Sequence, residues 1–239
     1  MSKAMNPKIV RTIIRNLSQN SSGFTLTELL AAIAITGILV AGSSVGLNVI
    51  LQENAENEEE ILQRQNANRA LDFIAEEIKS AQEISNNPST VSPSNFGLPS
   101  NTSGGQKILA LSIPDFVDPV IYTIAQPDSS IVWQGPRVIY RWGPNLNADG
   151  TYSDEGNSSG WQNRPLIDFV TDQTDSNLPS YCSESGVTQV PSSSPAGFYI
   201  CVEDDSDPST PSRVAEVVIR GESDSNVEVS MKAFARSNP

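Results

Sequence analysis

The sequence predicts an α+β fold, one long N-terminal helix packed on an antiparallel sheet, and three observations point to its layers. An apolar run extends from Leu29 to about Leu51 and includes Ile33, Ile35, Ile38, Leu39, Val40, Val45, Leu47, Val49 and Ile50. A three- and four-residue apolar period then continues from Gln52 to Ser85. Beyond residue 106, apolar residues gather in short β-branched and aromatic runs separated by Pro, Gly, Ser and Asn. Helix first and strands afterwards is the order of a two-layer fold in which an apolar helix stripe covers an apolar sheet face.

The first run is long enough to cross a bilayer, which takes about 20 mostly apolar residues. Its polar interruptions, Thr36, Ser43 and Ser44, are small enough to bond back to the helix, and Asn48 lies near the far end. It holds no proline; Gly37, Gly42 and Gly46 are its weak points. Residues 1–22 carry Lys3, Lys8, Arg11 and Arg15 and no acid. Such a segment stays on the cytoplasmic side, which places the rest of the chain across the membrane. Glu28 stands at the entry to the apolar run, where an ionisable group needs a partner or a task. Thr25-x-x-Glu28 fits a capping box, which satisfies free amides at a helix start and suits the helix dipole. Gly42-x-x-x-Gly46 fits close helix packing in membranes. The same five residues spell G-x-S-x-G, but a nucleophile elbow needs a preceding strand and a histidine, and the chain has no histidine. A conventional secretory signal ending near Ala41-Gly42-Ser43 and a plain membrane anchor are the competing readings of this end.

From Gln52 the period Ile61, Leu62, Ala67, Ala70, Leu71, Ile74, Ile78 and Ala81 predicts an amphipathic continuation of the same helix, with Glu58, Glu59, Arg64, Arg69, Glu76, Glu77 and Lys79 on its other faces. The helix is expected from about Phe24 to Ser85, stopped by Pro88. The acidic cluster Glu53, Glu56, Glu58, Glu59 and Glu60 reads as a solvated face. Residues 86–106 read as an exposed loop. Strands are expected at Lys107–Ile113, Val120–Ala125, Ile131–Gln134 and Val138–Trp142, bounded by Pro114, Pro119, Pro127 and Pro136. One more lies around Leu166–Val170, residues 172–196 read as loop, and Phe198–Val202 is a strand. Val214–Ile219 and Val227–Phe234 form a hairpin through Gly221-Glu222-Ser223-Asp224, with Val227, Val229, Met231 and Ala233 on one face.

Asn145-x-Asn147-x-Asp149-Gly150 matches the opening of a calcium loop, but Gly156 stands where the twelfth-position glutamate belongs. An Asx-rich turn is the favoured reading; calcium through Asn145, Asn147 and Asp149 is the weaker one, and no other cofactor is expected. Cys182 and Cys201 lie in no C-x-x-C motif. An exported domain permits them to pair, and two buried thiols are the alternative. Without histidine there is no Ser-His or Cys-His machinery and no histidine metal cluster, so no enzyme is expected, although carboxylates are plentiful.

A basic leader, then Gly23-Phe24-Thr25-Leu26-Thr27-Glu28, then a long apolar helix resembles the class III signal of type IV pilins and type II secretion pseudopilins. The resemblance covers roughly residues 1–55. It implies cleavage between Gly23 and Phe24 by a prepilin peptidase, N-methylation of Phe24, and pairing of Glu28 with a neighbouring subunit's Phe24 amine. It implies as partners the peptidase/methyltransferase, other pilins or pseudopilins in a filament, an inner-membrane assembly platform and membrane lipid. It also favours the Cys182–Cys201 disulfide. The segment Arg69–Ala81 is similar to the matching helix of W-type minor pilins and J-type minor pseudopilins.

The resulting organisation is a cleaved leader 1–23, a membrane and filament-core helix 24–51, an amphipathic helix 52–85 and an extracytoplasmic β-rich domain 86–239. The leader takes four of the 15 basic residues, which leaves 11 against 28 acidic ones, a formal net charge of −17. Such a surface repels nucleic acid, whose binding is dominated by phosphate neutralisation, and keeps an exported domain soluble. The expected role is a minor pilin or pseudopilin that initiates or tips a filament, resident first in the cytoplasmic membrane. The alternative is a membrane-anchored extracytoplasmic binding protein that never polymerises.

Overall fold

The computed structural model describes residues 23–98, 102, 104–127, 132–174, 177–193, 195–203, 212–222 and 227–236. Leader residues 1–22, residue 131 and residues 223–226 lie outside them. Helix α1 spans Leu26–Ser80. The chain divides into two compact units between Glu56 and Asn57.

Within the first unit every described side chain is exposed, from Gly23 through Glu56. Thr36 Oγ1 donates to the Ala32 carbonyl at 2.7 Å, and Ser43 and Ser44 donate to those of Leu39 and Val40, both at 2.8 Å. These three hydroxyls are thus returned to the backbone four residues earlier, so the segment up to Asn48 offers an apolar surface. At about 1.5 Å per residue, residues 26–51 span roughly 39 Å, more than the hydrocarbon thickness.

In the second unit, the rest of α1 buries Ala67, Ala70, Leu71, Ile74, Ala75, Glu77 and Ile78. These residues lie against two antiparallel sheets. The first has the order β1-β2-β3-β4-β7: β1 is Glu83–Ile84, β2 Gln106–Ser112, β3 Val120–Ala125, β4 Arg137–Gly143 and β7 Gln162–Val170. Between β4 and β7 a small hairpin pairs β5, Asn145–Leu146, with β6, Tyr152–Ser153. The second sheet has the order β11-β10-β9-β8, with β8 Val187–Val190, β9 Phe198–Glu203, β10 Val214–Arg220 and β11 Glu228–Phe234. One core joins the helix stripe to Ile108, Leu111, Val120, Ile139 and Val170 of the first sheet and to Phe198, Ile200, Val217 and Ile219 of the second. The ends of β10 bond to both outer strands of the first sheet: Ile84 N–H donates to the Ser212 carbonyl at 3.0 Å, and Thr171 N–H to that of Arg220 at 3.1 Å.

Four local expectations differ from this fold. Helix α1 ends at Ser80 because Gln82 N–H donates to the Ser112 carbonyl at 2.8 Å, drawing the chain into β1 before Pro88 is reached. Val132–Gln134 form no strand: Val132 is 89% exposed, and the segment crosses the edge of β7, where Phe169 N–H donates to the Gln134 carbonyl at 3.0 Å. Gly135, with φ +91°, permits that crossing, since a Cβ there would press on the Phe169 backbone. Residues 172–196, read as loop, contain β8, whose pairing with β9 supplies what its short polar sequence does not advertise. The strands expected as one layer divide into two because both flank the same helix stripe. The hairpin of β10 and β11 has the expected facing, with Val227 and Ala233 buried and Glu228, Ser230 and Lys232 exposed.

Candidate processing and assembly site

Residues 23–25 lie outside the helix and are exposed, with Phe24 at 87%. The bond between Gly23 and Phe24 therefore sits in an accessible non-helical segment, the backbone form that proteolysis favours. Thr25 N–H and Oγ1 both donate to Glu28 Oε2, at 3.0 and 2.9 Å, and Glu28 N–H donates to Thr25 Oγ1 at 3.3 Å. This is the reciprocal capping box the spacing predicts. The Glu28 Oε1 oxygen takes no part in it. The box therefore holds the carboxylate in the first helical turn, five residues beyond Gly23, and leaves one oxygen for another donor. Gly42 and Gly46 are exposed, and a Cβ on either would meet nothing within 4 Å, so both offer open helix surface.

Cys182 and Cys201 are joined, with Cα atoms 5.2 Å apart. The bond ties the single helical turn Ser180–Ser183 to β9, in a cluster with Tyr181, Tyr199 and Val218 on the face of the second sheet away from the main core. It encloses β8, which makes the disulfide loop a part of the sheet.

Asn145, Asn147 and Asp149 lie in the β5–β6 hairpin. Asp149 Oδ1 accepts from Thr151 N–H at 3.0 Å and Oγ1 at 2.7 Å, and these bonds hold its carboxyl below the ordinary range. Asn147 Nδ2 donates to Thr151 Oγ1 at 3.0 Å, and the Asn145 carbonyl accepts from Ser153 Oγ at 3.3 Å. These oxygens serve the turn itself.

One constellation escaped the sequence reading. Glu77, placed there on a face other than the apolar one, is 1% exposed. Arg141, on β4, donates through Nε at 3.0 Å to both of its carboxylate oxygens and through Nη2 to Oε1 at 2.5 Å. Tyr122 of β3 and Tyr152 of β6 also donate to the carboxylate, Tyr152 at 2.8 Å. Arg141 Nη1 donates to the Pro144 carbonyl at 2.9 Å. Burial pushes the guanidinium pKa down, but the adjacent Glu77 charge outweighs it and holds Arg141 protonated. Burial first, then Glu77, raises both tyrosines. The network fixes helix, sheet and hairpin in one register. Its signal was present: Ala70, Ile74, Glu77 and Ala81 recur at steps of four, three and four, so Glu77 lies inside the apolar stripe. Arg141 likewise alternates with Ile139 on the inward row of β4.

Residues 18–44 match the family model of the prokaryotic N-terminal methylation motif. The match supports a type IV pilin-like protein, with processing by a prepilin peptidase and assembly among pilins, and it points to a structural rather than catalytic role. Together with the long apolar helix it fits a pilin anchored in the inner membrane. Neither a curated protein nor a solved structure matches the chain.

Proposed function

We propose that this chain is a minor subunit that helps to initiate or tip a type IV pilus or a type II-like secretion filament. The leader 1–23 is removed at Gly23–Phe24 and Phe24 is N-methylated. Helix residues 24–51 then exchange lipid for the helices of neighbouring subunits. Removal of Lys3, Lys8, Arg11 and Arg15 is what permits this exchange, since four cations hold the uncleaved end in the cytoplasm. In the filament Glu28 pairs with a neighbouring Phe24 amine, because two charges too costly to bury singly become tolerable together. The observation carrying this reading is the methylation motif at residues 18–44, which runs into the exposed apolar helix that starts at Leu26. The similarity of Arg69–Ala81 to W- and J-type subunits supports the minor role.

Two measurements test the proposal. Mass spectrometry of the membrane-extracted chain is expected to find N-methylated Phe24 as the first residue. The variant Glu28→Leu is expected to insert normally and to be depleted from sheared filaments. An intact Met1, or a start after Ser43, refutes the processing; undiminished incorporation of Glu28→Leu refutes the pairing.

A further inference from the structure

On the face of the five-stranded sheet away from α1, Trp142 and Trp161 pack edge to face with ring centroids 4.8 Å apart, and Phe96 meets Trp142 at 5.8 Å. Beside them lies a cavity of about 320 Å³ walled by the two tryptophans with Asn95, Gln162 and Asn163. Trp142 and Asn163 are direct partners across β4 and β7, so their side chains share this face. Trp142 is 0% exposed, yet its Nε1–H has no acceptor, and the buried Asn163 Oδ1 has no donor. An unmet donor and an unmet acceptor on cross-strand neighbours are unusual, since buried polar groups in a sheet are nearly always paired. A hydroxyl group answers both at once, because it accepts one hydrogen bond and donates another. The chain has 15 basic and 28 acidic residues, but none lines this cavity. The lining thus offers a charged ligand no counter-charge, and Lys107, whose ammonium sits on the Phe96 ring, is engaged by the Val91 carbonyl.

We propose that this cavity is a binding subsite for a neutral saccharide, sized for one pyranose ring, with a ring hydroxyl placed between Trp142 Nε1 and Asn163 Oδ1. The short segment Asn95–Leu98 borders the cavity, held by Asn163 Nδ2 donating to the Gly97 carbonyl at 2.5 Å and Asn95 Nδ2 to Ser158 Oγ at 3.3 Å. Entry of the sugar exchanges these two bonds for bonds to its hydroxyls. The site is independent of the filament reading and stands or falls without it.

The test is a titration of the full chain, in a detergent without sugar head groups, with glucose, galactose and N-acetylglucosamine. Tryptophan emission is the readout. At least one sugar is expected to give a saturable change with millimolar affinity. Trp142→Phe is expected to weaken it by about tenfold, the equivalent of one lost hydrogen bond, and Trp133→Phe, outside the cavity, to leave it unchanged. Gln162→Ala, at an exposed position of the rim, is expected to weaken it several-fold and carries the test if Trp142→Phe does not fold. No saturable response to any of the three sugars would mean that the cavity holds ordered water only, and overturns the proposal. An equal response to N-acetylglycine methylamide, or an equal loss in Trp133→Phe, overturns it as well.

Discussion

Replacing Glu77 by alanine removes the acceptor of one arginine and two tyrosines in a largely buried site. Glu77 is 1% exposed and Arg141 9%, so solvent screens little of the loss. Breaking a buried pair by deleting one partner costs about 3–5 kcal/mol, because the remaining charge stays buried and uncompensated. The orphaned Tyr122 and Tyr152 hydroxyls add to this, each by about 1 kcal/mol or more, although such contributions overlap. For a domain near 180 residues, about 4 kcal/mol corresponds to a fall in Tm of roughly 8–16 °C. Thermal and urea unfolding of the full chain, followed by near-ultraviolet circular dichroism from Trp142 and Trp161, measures it. The double variant Glu77→Leu with Arg141→Met is expected to recover most of the loss, since no buried charge remains. A single variant within about 1 kcal/mol of the parent would refute the reasoning, as would a double variant no better than Glu77→Ala.

Three further predictions follow from the same structure. Tyr122 and Tyr152 titrate above their unfolded value, so the folded chain keeps protons that the unfolded chain loses; their contribution is intact below about pH 10 and declines as pH rises beyond it. Tyr122 alone accounts for about 1.4 kcal/mol per pH unit in that window and the half-buried Tyr152 for less, so urea midpoints at pH 9.5 and 11 should diverge in the parent and lie closer together in Tyr122→Phe, where Tyr152 alone remains. Reducing Cys182–Cys201, which closes a separation of 19 residues, should lower the unfolding free energy by about 3 kcal/mol in denaturant titrations, and an unchanged midpoint would show that the second sheet holds without it. Glu28→Gln retains an acceptor for Thr25 while losing the charge, so it should keep the helix start yet incorporate poorly into filaments; normal incorporation would assign Glu28 to capping alone.

Sequence alone determined the features whose physics is local. The apolar run, the basic leader, the Thr25/Glu28 box and the hairpin of β10 and β11 each depend on residues near one another in the chain, and each was legible there. Helix α1 was legible as an element because its period is internal to it, and the pairing of the two cysteines was open to inference because there are only two. What the tertiary structure decided was the partner of each face. Glu76 and Glu77 are the same residue type side by side, yet one pairs with Lys79 in solvent and the other is sealed under Arg141, 64 positions away. Strand β8 exists because β9 is beside it, and α1 stops at Ser80 because Ser112 offers a carbonyl, neither of which a local propensity records. The division of the strands into two sheets has the same origin. A helix stripe broad enough to bury Ala67 through Ile78 on both flanks needs two covering layers, and only the folded chain shows which strands supply them.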